Sequence, residues 1–191
     1  MPRSGFRTQL WRNSGGLTRE IYIAGGDDGQ PDCRLSLARI ESDGLFSEFP
    51  GIQRQQLLVS GAGLTLDFEA APSIPLHPPF GLARYPGTPA PCARLQDGAV
   101  EVLNLFHRPR ALDAELFHRP LLGSMLFFAR PTERWLLLLL AGHAQVRGPG
   151  VCLQLEQGDA CLLQGESGRA CVEGGGDLAL VRMLTGVEAD T

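Results

Sequence analysis

The densest set of ligand-orienting groups in the chain is Trp11–Glu20, which reads Trp-Arg-Asn-Ser-Gly-Gly-Leu-Thr-Arg-Glu. An indole, an amide, two guanidiniums, two hydroxyls and a carboxylate surround a glycine pair. A glycine-rich turn of this kind can hold an anion through backbone N–H groups. It runs into an extended segment and not into a helix, so a nucleotide phosphate loop is not indicated. A tight surface turn with polar flanks is the plainer alternative. Arg19 and Arg54 can each grip a carboxylate through two parallel hydrogen bonds, or else pair within the chain with Glu20 or Glu48. Glu20 could serve as a general acid or base only if its surroundings raised its pKa. Asn104 is a polar group on the apolar face formed by Val102, Asn104 and Phe106. A buried amide without a partner costs about 1–3 kcal/mol, so Asn104 either holds neighbouring backbone or faces a ligand.

Other chemistries find less support. The histidines, His77, His107, His118 and His143, include no His-x-His pair, and metal ligands must converge. No metal and no cofactor is expected. Leu-Phe-His-Arg-Pro occurs twice, at Leu105–Pro109 and Leu116–Pro120, which reads as coincidence in a connector. There is no Gly-x-Ser-x-Gly elbow to mark a serine nucleophile.

Short strands must position these groups. Leu17–Ala24 alternates Leu17, Arg19, Ile21 and Ile23 against Thr18, Glu20, Tyr22 and Ala24. Cys33–Ile40 sets Arg34, Ser36 and Ala38 on one face, and one arginine among small residues leaves room for a cavity. Asp43–Arg54 is irregular, with a turn at Pro50-Gly51; its Phe46 and Phe49 must bury against the first strands. Gln55–Ser60 and Leu64–Phe68 flank Gly61-Ala62-Gly63 and predict a hairpin. Ala71–Pro91 carries seven of the 14 prolines and cannot be helical. Val100–Phe106 is a strand, and Leu112–Phe117 is ambiguous.

From Trp135 onward the pattern restarts. Trp135–Leu140, His143–Arg147, Ala160–Leu163 and Asp177–Met183 echo Gln55–Ser60, Leu64–Phe68, Leu82–Tyr85 and Val100–Phe106. The offset is 81 at Gly61 and Gly142, and 78 at Asn104 and Arg182. Such a repeat predicts an all-β chain of two antiparallel jelly-roll barrels. The expected halves are residues 1–110, with the pocket, and residues 111–191.

Composition agrees. A chain of 191 residues with 43% hydrophobic and 20% charged residues can bury a core without staples. Net charge is −4, and every basic residue is arginine, so no basic surface is offered to nucleic acid. Five scattered cysteines read as reduced thiols of a cytoplasmic protein. No secretory leader is visible in the opening residues. The apolar run Trp135–Ala141 is too short to span a bilayer as a helix, and no membrane partner is expected.

Several motifs in series resemble the HutD/Ves family: Trp11–Ile21, Arg34–Ala38, Gly44–Arg54, Leu58–Leu64 and Leu103–Leu105. They cover roughly the stretch from Leu10 to Arg108. The resemblance implies two tandem cupin-like barrels without the usual metal-binding histidines. It also implies a link to bacterial histidine utilisation, through binding of an anionic metabolite such as urocanate or N-formylglutamate. Three positions depart from the family pattern: Ser14 in place of a glycine, Val102 in place of an aspartate, and Leu82 in place of the aspartate of Phe-x-Gly-Asp.

The expected function is therefore non-enzymatic binding of a small anion by Trp11, Asn13, Arg19, Glu20, Ser36, Phe46, Phe49, Arg54 and Asn104. Arg19 and Arg54 would hold carboxylate. The alternatives are a metal-independent isomerase or hydrolase using Glu20, and a subunit that contacts another protein. A homodimer is compatible with each.

Overall fold

The computed structural model describes residues 1–10, 16–26, 30–128, 130–164 and 168–185. Trp11, Asn13 and Ser14 lie outside the described residues. The chain folds as two compact units, one of Phe6–Ala111 and one of Met1–Gly5 with Leu112–Thr191. Within the second unit, the Ala160 N–H donates to the Met1 carbonyl (3.0 Å) and the Arg3 N–H to Asp159 Oδ1 (2.9 Å). The first five residues thus pair with the C-terminal half of the sequence, whereas the sequence puts them in residues 1–110.

Apart from a single 3-10 turn at Arg3–Gly5, the regular structure of the described residues in both units is antiparallel strand. In the first, β1 (Arg7–Leu10), β2 (Gly16–Ala24), β3 (Cys33–Ile40), β5 (Gln53–Ser60), β8 (Leu82–Pro86) and β10 (Val100–His107) form a sheet in the order β1-β2-β3-β10-β5-β8. The second sheet has β4 (Gly44–Leu45), β6 (Leu64–Asp67), β7 (Ile74–Leu76) and β9 (Cys92–Leu95), in the order β4-β9-β6-β7. One core cluster takes Ala38, Leu58, Ala83 and Val102 from the larger sheet and Leu64, Leu66, Leu76 and Ala93 from the smaller. The two sheets therefore pack face to face around alternate side chains.

Two local expectations change. The hairpin of Gln55–Ser60 with Leu64–Phe68 does not form. Both edges of β5 are occupied, by β10 and β8, and β6 pairs with β7 and β9 instead. Gly61 and Gly63 sit at φ +99° and +127°, and that left-handed backbone carries the chain to the other sheet. The alternation of β2 also breaks: Glu20 pairs with Ser36 but Tyr22 pairs with Leu35, which leaves Ile21 as a bulge. Ile23 thereby moves to the face of Arg34, with which it pairs.

The C-terminal unit folds a single sheet over itself. β11 (Leu112–Phe128), β12 (Glu133–Gly148) and β15 (Arg169–Thr185) are long, with β13 (Val151–Glu156) on the second half of β12 and β14 (Ala160–Gln164) on the first. The ambiguous Leu112–Phe117 is the start of β11. The core takes Leu137 and Leu139 from one half of β12 and Ala144 and Val146 from the other. Between them lies a register shift at Leu139/Ala141. At Gly176 (φ +136°) an added Cβ would strike the Ala141 carbonyl, so the bend requires glycine there.

Candidate functional site

The register of the six-stranded sheet aligns chemistry in rows. Adjacent strands lie about 4.8 Å apart, and residues directly opposite one another share a face. One row runs Arg34–Phe106–Arg54–Tyr85 across β3, β10, β5 and β8. The next runs Glu20–Ser36–Asn104–Gln56–Ala83. Above this face is a cavity of about 680 Å³ lined by Arg34, Ser36, Phe46, Phe49, Arg54, Gln56, Asn104 and Phe106, with Gln9 and Thr18 from the first two strands. That size suits a small metabolite.

Arg54 is 5% exposed. Its guanidinium carbon lies 4.7 Å from the centre of the Phe106 ring, 5.0 Å from Phe46, 5.1 Å from Tyr85 and 5.7 Å from Phe49. Phe46 and Phe49 come from the loop after β4. The Phe46 N–H donates to the Pro91 carbonyl and the Phe49 N–H to that of Gly87. These bonds fix two rings over the sheet, and Phe49 meets Phe106 edge to face at 5.0 Å. Arg34 stacks on Phe106 as well, at 4.8 Å. Two cations thus flank one aromatic ring.

Among the described residues no carboxylate pairs with Arg54, and its Nε and Nη1 have no hydrogen-bond partner. Arg34 Nε and Ser36 Oγ are buried without partners too. Burial pulls the Arg54 pKa down, opposed by the Tyr85 hydroxyl and reinforced by Arg34. The Arg34 pKa is lowered by burial and partly restored by Glu20. Burial pushes the Tyr85 phenol up to about 12 despite Arg54, so it stays a neutral donor.

A relay fixes the polar row. The Tyr85 hydroxyl donates to Gln56 Oε1 (2.6 Å), and Gln56 Nε2 donates to Asn104 Oδ1 (2.5 Å). The Asn104 oxygen is thereby used, which leaves its Nδ2 hydrogens to donate. The groups turned to the cavity are mostly donors: two guanidiniums, an amide NH₂ and a hydroxyl. Such a set is complementary to an anion that accepts several hydrogen bonds.

The structure brings together Ser36, Phe46, Phe49, Arg54 and Asn104 of the residues singled out from sequence. It does not bring Arg19 to them. Arg19 pairs with Leu37 and Thr8, next to the lining residue Thr18, so strand alternation turns it to the reverse face. Arg34 supplies the second cation instead. Glu20 stands on the cavity side of β2 opposite Ser36 and is not among the lining residues. Trp11 and Asn13 lie outside the described residues. Sequence reasoning missed Arg34, Gln56 and Phe106 as site residues. The small-residue face of β3 signals Arg34; Gln56 and Phe106 emerge only from the pairing of β5 with β10. Among the described residues no group of three His, Cys, Asp or Glu side chains could hold a metal ion, and no helix is long and apolar enough to cross a membrane.

Fold and cavity together define a cupin-like all-β protein with a donor-lined pocket in its first barrel. The HutD family model matches residues 3–180, and the chain belongs to that family. It is 34% identical over 175 residues to a Pseudomonas putida protein of the hutC 3′ region, covering 85% of this chain and 88% of that one. It is 34% identical over 102 residues to Protein Ves of Citrobacter koseri, covering 52% of each. The structure of HutD from Pseudomonas fluorescens SBW25 superposes with a TM-score of 0.83 at 26% identity, over 97% of both chains.

Proposed function

We propose that this chain binds a small anionic metabolite in the cavity of its first unit and thereby modulates histidine utilisation without catalysing a step of it. Arg54 is the observation that carries the proposal. A buried guanidinium with no counter-charge among the described residues, and with donors left unfilled by them beside a cavity, is costly unless a ligand completes it. A carboxylate placed there would be held by Arg34 and Arg54, while Asn104 and Ser36 orient the remainder. Urocanate and N-formylglutamate are carboxylates of the right size, and the relation to a protein of the hutC region favours them.

Among the described lining residues there is no carboxylate, imidazole or thiol to act as general acid or base. That favours binding over turnover by an isomerase or hydrolase. A melting screen over histidine-pathway intermediates and other small acids tests the reading. At about 100 times Kd the bound ligand should add about 2.7 kcal/mol and be recovered unchanged. Absence of a shift with every acid would refute the proposal.

A further inference from the structure

The C-terminal unit repeats the sheet that carries the first cavity, and the repeat can be read residue by residue. In the first unit the β10/β5 register shifts next to the pair Val102/Leu58. In the second the β15/β12 register shifts next to Leu178/Leu139. Superposing these pairs and counting the same number of residues along each strand sets Phe106/Arg54 on Arg182/Trp135, themselves a ladder pair. This alignment differs by two residues from the one that matches Asn104 with Arg182 in sequence. The row Arg34–Phe106–Arg54–Tyr85 becomes Glu115–Arg182–Trp135–Leu163. The polar row Ser36–Asn104–Gln56 becomes Phe117–Leu180–Leu137.

A second cavity, of about 620 Å³, lies at these positions within the C-terminal unit. The counterparts of Arg34, Ser36, Ala38, Asn104, Arg54 and Phe106 all line it, as Glu115, Phe117, Arg119, Leu180, Trp135 and Arg182. Its floor is aromatic. Trp135 meets Phe117 edge-on at 5.8 Å and Phe127 at 5.4 Å. The cation and the ring have exchanged strands: Arg182 lies 5.9 Å from the Trp135 ring. Arg182 Nε donates to Glu133 Oε1 at 2.5 Å, and Glu133 is 4% exposed. That bond orients the guanidinium and leaves its Nη donors for another acceptor. Arg119 and Arg130 add two further cations, against Glu115 as the one lining carboxylate not held by Arg182.

We infer that this cavity is a second ligand site, specific for an aromatic carboxylate whose ring lies on Trp135 and whose carboxylate takes the free donors of Arg182 and a neighbouring arginine. The apolar row in place of Ser36–Asn104–Gln56 selects an apolar aromatic body over the polar acids, urocanate among them, suited to the first cavity. An aromatic ring on an aromatic floor, with an acid at a cationic rim, satisfies both halves of the lining. The site stands independently of the proposal for the first unit, since it uses none of the same residues.

The probe is 4-fluorobenzoate, followed by fluorine NMR line broadening on the full chain, with 4-fluorobenzamide and fluoroacetate as controls. Wild type and R54M should broaden the acid alike and saturably. The amide should bind at least about tenfold more weakly, and fluoroacetate should not compete. E133Q/R182M, which removes the cation without orphaning the buried carboxylate, should lose the binding. W135F, a conservative change that spares the fold, should weaken it about fivefold. The inference fails if wild type shows no saturable broadening, if R54M abolishes it, or if E133Q/R182M or W135F binds like wild type. It fails also if acid and amide bind equally well.

Discussion

Replacing Arg54 by methionine separates a binding cation from a structural one. Among the described residues, the buried Arg54 Nε and Nη1 find no hydrogen-bond partner. Each costs about 1–3 kcal/mol. The surrounding rings return part of that, since a desolvated cation–π contact is worth about 2 kcal/mol and several rings share one guanidinium. Methionine keeps most of the volume and gains sulfur–aromatic contact of about 0.3–1.5 kcal/mol. R54M should therefore be more stable than wild type without ligand, by about 1–2 kcal/mol. For a unit of this size that raises the melting temperature by about 4–8 °C. The ligand-induced gain of about 2.7 kcal/mol at 100 times Kd should vanish in the same variant. Differential scanning calorimetry with and without ligand reads both effects. If R54M melts below wild type and keeps the ligand shift, Arg54 is a structural residue and the reasoning fails.

Other outcomes follow from the same geometry. R34M should change ligand-free stability less than R54M, because Glu20 partly offsets the burial of the Arg34 cation, yet weaken carboxylate binding at least about tenfold in titration calorimetry. Stability should fall in alkali. Burial holds the Tyr85 phenol at about 12 against an ordinary 10.0, and the Cys33 thiol at about 12 against 9.0. Below those ordinary values both folded and unfolded states are protonated and the stabilisation is complete. As pH rises from about 9 towards about 12 only the unfolded state ionises, and urea midpoints should drop. A flat profile to about pH 11 would contradict this, and Y85F should drop less than wild type. G176A forces a Cβ into the Ala141 carbonyl at a positive φ and should cost about 3 kcal/mol; wild-type urea stability in that variant would refute the bend.

Much of the strand inventory is legible because period-two alternation survives in short strands. β3 and β10 fall where Cys33–Ile40 and Val100–Phe106 predict them. The repeat is visible because glycine turns recur at similar spacing. What alternation cannot supply is which strand lies beside which. Local pattern sends Leu64–Phe68 into a hairpin with its sequence neighbour because nothing local says that β10 and β8 take both edges of β5. Arg19 outranks Arg34 in the sequence for a related reason. Both occur in polar, strand-forming contexts, and only the pairing of Arg34 with Phe106 shows which guanidinium stacks beside Arg54. Asn104 is recognisable because an amide amid apolar alternation is anomalous by itself. Its partner Gln56 is hidden, being one of two adjacent glutamines that only register tells apart.

If Arg34 and Arg54 together form the proposed anion site of the first unit, removing both must abolish ligand binding. Calorimetric titration of urocanate and of N-formylglutamate into wild type and into R34M/R54M tests it most directly. Saturable binding of one of these acids to wild type, and its loss in a double variant that melts no lower than wild type, is the expected result. Equal binding by the two proteins, or no heat from wild type with either acid or with any other small carboxylate, would contradict it.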